Sequence, residues 1–142
     1  MTLFEFLIPK RPLSLQAKRK SLQAWKGFVH AEAAKVWSGP IFEEGNLQLT
    51  LIYLCDQAPP DIDNIIKPIQ DALVGLVFID DSLIDDSLID DSLIGDVDSH
   101  RRFLNETFDL TRLPTPLLLG IASQQECVYV RVSSSKSLED YL

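Results

Sequence analysis

The chain has 142 residues, 46% of them apolar, and a formal charge of −8 from 13 basic and 21 acidic side chains. That length fits one domain with a packed core. No run of eighteen apolar residues occurs, so no segment reads as a membrane span.

The charge is unevenly placed. Residues 1–38 carry Lys10, Arg11, Lys18, Arg19, Lys20, Lys26 and Lys35 against only Glu5 and Glu32, a local excess of five positive charges. Residues 80–98 carry eight aspartates and no base. A basic end and an acidic cluster suit a metal-dependent enzyme acting on a polyanion. Two unrelated solvated faces would give the same pattern, and charge alone does not choose.

In chain order, Leu3 to Ile8 alternates as a strand and stops at Pro9, without the pattern of a signal peptide. Pro12 and Ser14 precede a helix predicted from about Leu15 to Trp37, with Leu22, Trp25, Val29, Ala33 and Val36 at helical spacing. Gly39-Pro40 ends it. Lys18, Arg19, Lys20 and Lys26 lie largely off that stripe, as either a solvated face or a phosphate-facing one.

Asn46 to Cys55 reads as a central strand and Asp56 to Pro60 as a loop. In the following DIDNIIKPIQDALVGLVF, residues Ile65, Ile66, Ile69, Leu73 and Leu76 recur at helical spacing. Pro68 allows two starts: a helix from near Pro68 with a turn before it, or a helix from Asp63 that kinks. Gly75 is a plausible terminator. A strand is expected around Val97 to Phe103, then a loop holding Pro114 and Pro116, and a last strand from Cys127 to Val132. The tail from Ser133 reads as frayed or as a short helix. The sum is one α/β (α+β) domain over residues 1–142, a mixed sheet flanked by helices. Cys55 and Cys127 fall in separate strand-like runs and read as buried reduced thiols, which points to the cytoplasm.

Between the second helix and the next strand, the pentad Ile-Asp-Asp-Ser-Leu occurs three times from Ile79. In a strand, a shift of five puts each copy on the opposite face. In a helix it turns each copy by about 140° from the last. The copies therefore cannot be equivalent, and an extended insertion over about residues 80–94 is expected. Its two additional pentads total ten residues, so a strand resuming afterwards keeps its facing.

Asp61 and Asp63 are separated by one residue just before a helix. On a turn such a pair converges several oxygens, a donor set that suits Mg²⁺ or Mn²⁺. Lys67, four residues on, could stabilise charge on a phosphate. A third carboxylate from a repeated Asp-Asp pair would complete a site for phosphodiester hydrolysis. The plainer reading makes the aspartates helix caps and Lys67 a partner in surface ion pairs. His30 and His100 have no Cys or His at ligand spacing and read as structural or surface residues. No Gly-rich phosphate loop suggests a nucleotide cofactor.

The string PDIDNIIKPIQDALVGLVFIDDSLI, with the opening FLIPKRPLS, resembles the RusA-type Holliday-junction resolvases, small homodimeric Mg²⁺-dependent endonucleases. Their pattern is D-x-D-N, a lysine four residues later, a D-A-L helix with glycine, and an aspartate pair. Asp61, Asp63, Asn64, Lys67, Asp71, Ala72, Leu73 and Gly75 match it. The resemblance implies that Asp61 and Asp63 bind metal and that Lys67 is catalytic. In such an enzyme the basic residues Lys10, Arg11, Lys18, Arg19 and Lys20 are expected to position branched DNA through its phosphates. Counted forward, Asp80-Asp81 holds the family's register, with Asp81 as the functional member. Counted backward from the next strand, Asp90-Asp91 fits, with Asp91 as the alternative. The family has one such pair and this chain three. That departure leaves open a junction-binding protein whose metal site the insertion disrupts.

Overall fold

The computed structural model describes residues 1–43, 45–79 and 93–142. Most of the pentad run, with Asp80, Asp81, Asp90 and Asp91, lies outside the described residues.

Four strands form one mixed sheet: β1 (Thr2–Ile8), β2 (Leu47–Cys55), β3 (Ile94–Phe103) and β4 (Cys127–Ser134). Their spatial order is β1-β4-β2-β3. β4 is antiparallel to both β1 and β2, whereas β3 runs parallel to β2. A parallel neighbour needs a crossover, and helix α2 (Ile66–Leu73) lies in the connection between β2 and β3. The expected α+β class with a mixed sheet is the one found.

Alternation along the strands makes two apolar layers. Phe4, Phe6 and Ile8 of β1, Leu49, Leu51 and Tyr53 of β2, and Val128, Val130 and Val132 of β4 share the main core. Helix α1 (Arg19–Ala34) covers that core with Trp25, Val29 and Ala33, and α2 with Ile69, Ala72 and Leu73. The opposite face carries Leu54, Cys127 and Tyr129 under Leu117 of α3 (Thr115–Ser123). Helix α3 approaches closely: a Cβ added at Gly120 would lie 2.9 Å from the Cys127 sulfur. β2 is buried along its length except at Ile52, as befits an internal strand.

Three boundaries differ from expectation. α1 begins at Arg19 rather than Leu15, because the Ser14 hydroxyl accepts the Gln16 N–H (3.1 Å) and holds a local turn there. It ends at Ala34, which leaves Val36 60% exposed, while the Trp37 ring packs against Phe4 and Phe42. Residues 115–123, expected as loop, form α3: Pro116 stands in the first helical turn, where its missing N–H costs nothing. Gly75 terminates α2 as expected, with φ +84° just beyond the cap. The tail is a short 3₁₀ helix, Leu138–Tyr141, whose Tyr141 hydroxyl donates to Gln48 Oε1 (2.6 Å).

Both cysteines are buried and free. Cys127 lies opposite Leu54 in the ladder, so it faces away from the side Cys55 faces, and the two cannot bridge. Burial, then the charge of Glu126, pushes the Cys127 thiol up to about 11, and burial raises Cys55 as well. At pH 8 about one Cys127 in a thousand is thiolate. Neither cysteine of the folded chain should react with an aromatic disulfide reagent at that pH, and both should react in guanidinium; rapid labelling of native protein would contradict the fold. The sign of the linkage follows. Cys127 is held neutral in the fold, so its contribution is full below the ordinary value of 9.0 and is lost as pH rises through about 11. Among the described residues, no helix is long and apolar enough to cross a membrane.

Candidate active site

Asp61 to Asn64 form a turn between β2 and α2, closed by the Asn64 N–H donating to the Asp61 carbonyl (3.1 Å). Of the two starts the sequence allowed, the structure takes a turn followed by a helix. The helix starts at Ile66 and places Pro68 in its first turn, where no intrahelical donor is needed. Two further bonds fix the turn from outside. The Ser99 hydroxyl of β3 donates to the Ile62 carbonyl (2.8 Å), and the Leu15 N–H donates to the Asn64 carbonyl (2.8 Å). Ile65, fully buried, anchors its far end.

The backbone is thus held while both carboxylates stay exposed. Like charges exposed to water repel only weakly, so the turn can display the two side chains near each other at little cost. Their hard oxygen donors fit Mg²⁺ or Mn²⁺ in kind. Among the described residues, no third His, Cys, Asp or Glu joins them in a group able to hold a metal. The two residues expected to supply a third carboxylate, Asp81 or Asp91, both lie outside the described residues.

Lys67 stands four residues past Asp63, in the first turn of α2, and its Nζ lies 3.2 Å from Asp71. Lys26 of α1 reaches the same carboxylate at 3.6 Å. Part of the plainer reading is therefore present, since Lys67 does form an ion pair along its helix. Such half-exposed pairs contribute little to stability. His30 is structural: its Nδ1 lies 3.0 Å from the Ala72 carbonyl and links α1 to α2.

The five cations expected to meet DNA occupy different settings. Lys18, Arg19 and Lys20 are exposed at the start of α1, and no acid stands in that first turn. Cations at a helix N-terminus oppose its dipole, so the fold gains nothing from them there. The Leu15–Asn64 bond holds the segment leading into them against the acidic turn. Lys10 sits 4.9 Å above the Phe28 ring. Arg11 is engaged internally: it donates to the Gln57 carbonyl (2.8 Å) and the Ala58 carbonyl, and pairs with Glu126 at 3.2 Å. Ser99 and Glu126 were not singled out from sequence. Each reaches the loop from a distant strand or strand end, and neither stands in a local pattern that would mark it.

The model of the family described as Endodeoxyribonuclease RusA matches residues 14–97, which run from before α1 through β2, the acidic turn and α2 into β3. No curated protein matches the chain. The family match covers more than half of the sequence and contains the turn that displays Asp61 and Asp63: the chain belongs to the RusA endodeoxyribonuclease family.

Proposed function

We propose that this endonuclease is Mg²⁺-dependent and acts as a homodimer on branched DNA, nicking opposing strands of a four-way junction during recombination and repair. One observation carries the reading: a rigid turn displays two exposed carboxylates and is bonded to the segment that leads into Lys18, Arg19 and Lys20. Acid for a metal and base for a phosphate backbone then stand side by side.

Asp61 and Asp63 would hold the metal, with Asp81 as the third carboxylate and Asp91 as its competitor. When bound, Mg²⁺ (or Mn²⁺ in its place) supplies the Lewis-acid chemistry of phosphodiester hydrolysis. The protein supplies position and charge. Lys67 projects from the helix that follows the acidic turn and balances negative charge growing on the phosphate as its P–O bond breaks. Lys18, Arg19 and Lys20, with Lys10, neutralise backbone phosphates without reading bases. Arg11, next to Lys10 in the sequence, is already paired with Glu126. The site needs no nucleotide cofactor, and a cytoplasmic enzyme with reduced thiols is consistent with it.

A second reading keeps junction binding and removes cleavage, on the observation that this chain has three Asp-Asp pairs where the family pattern has one. A synthetic four-way junction separates the two. Incubated with the full chain and Mg²⁺, it should yield paired nicks that Mn²⁺ also supports and a chelator abolishes. Tight binding with no nick in either metal would favour the second reading.

A further inference from the structure

Loop 56–60 connects the end of β2 to the acidic turn, and its first three residues are gripped by two side chains from elsewhere in the chain. Glu126, just ahead of β4, accepts the Asp56 N–H (2.8 Å) and the Tyr53 hydroxyl (3.1 Å). Arg11, in the segment after β1, pairs with that same carboxylate and donates to the carbonyls of Gln57 and Ala58. Ala58 has φ +45°, a left-handed backbone that an alanine adopts only under constraint. Pro59 and Pro60 follow and lead directly into Asp61. Each proline ring locks its own φ, so the pair forms a stiff spacer. Where Arg11 sets the Ala58 carbonyl therefore governs where Asp61 begins.

Energetics favour a geometric role over a stabilising one. The Arg11 side chain is 43% exposed, and an ion pair so hydrated contributes little to folding. Two carbonyls and one carboxylate around a single guanidinium fix direction, which an ammonium with its freely rotating donors does not reproduce.

We propose that Arg11 and Glu126 are positioning residues for the Asp61–Asp63 turn, acting through the backbone of loop 56–60 to set the spacing at which the two carboxylates meet a divalent cation. This rests on the reading that Asp61 and Asp63 bind metal. Binding of Mn²⁺ to the full chain without DNA, followed by electron paramagnetic resonance, is the direct measure, alongside the Mg²⁺ concentration for half-maximal nicking and circular dichroism to show that each variant folds. Arg11→Lys and Glu126→Gln should each weaken Mn²⁺ binding about tenfold and raise the Mg²⁺ midpoint in step. The nicking rate of Glu126→Gln at saturating Mg²⁺ should stay within about threefold of the parent. A phosphate-contacting Arg11 would behave otherwise: lysine would rescue it, and Glu126→Gln would tighten DNA binding without moving the metal midpoint. Parental Mn²⁺ affinity in both folded variants overturns the proposal and leaves the metal site standing. Absence of Mn²⁺ binding by the parent chain overturns both.

Discussion

Asp63→Asn should lower junction nicking by at least about 10³-fold while affinity for the uncut junction stays within about twofold of the parent. The rate loss corresponds to about 4 kcal/mol of barrier, the scale on which a metal's charge stabilisation acts. The turn itself should survive the exchange. Its hold is backbone and distant: Asn64 to Asp61, Ser99 to Ile62, Leu15 to Asn64, and the buried Ile65. Asparagine also tolerates turn geometry well. Binding should persist because the substitution removes a negative charge facing the phosphates and leaves Lys18, Arg19 and Lys20 in place. The contrast between rate and affinity is the readout. If the variant nicks at the parental rate in Mg²⁺, Asp63 is no ligand; if it loses nicking and folding together, the turn carries structure instead.

What could be read from sequence was what repeats locally. β1 and β4 showed period two, α1 showed a stripe through Trp25, Val29 and Ala33, and Gly75 marked an end; each was found close to where it was expected. Sequence alone does not mark helix α3, because Pro114 and Pro116 read as loop residues, although proline is at home in a first helical turn. The same asymmetry holds at the site. Asp61, Asp63 and Lys67 could be picked out because their spacing is short and their chemistry explicit. Ser99 and Glu126 could not, since their contacts span 37 residues to Ile62 and 70 to Asp56. Nothing in a one-dimensional pattern announces which strand will lie beside a loop. Arg11 shows the limit from the other side: counted among basic residues it resembled a DNA contact, and only the carbonyls around it show what else it does.

The pentads can be tested by removing them in register. At one end, the Ile79 N–H donates to the Phe42 carbonyl (3.0 Å); at the other, Leu47 N–H donates to the carbonyl of buried Leu93 (2.8 Å). Ile94 then opens β3 beside Leu47. Asp81 lies two residues after the first anchor and Asp91 two before the second, so each has an equal positional claim to the site. Deleting residues 80–89 joins Ile79 directly to Asp90-Asp91-Ser92-Leu93. A single aspartate, Asp91, is then at once two after Ile79 and two before Leu93. Because ten residues were removed, the facing of β3 is unchanged. The shortened chain should fold and nick at least as fast as the parent, and Asp91→Asn within it should abolish cleavage by about 10³-fold or more. In the full chain, Asp81→Asn should have that effect and Asp91→Asn should not. The reverse result would assign the third carboxylate to the copy nearest β3. Cleavage by the shortened chain alone would mean that the repeat had silenced an otherwise complete site. A shortened chain that keeps its nicking rate with Asp90→Asn and Asp91→Asn combined would remove the Asp-Asp pair from the mechanism.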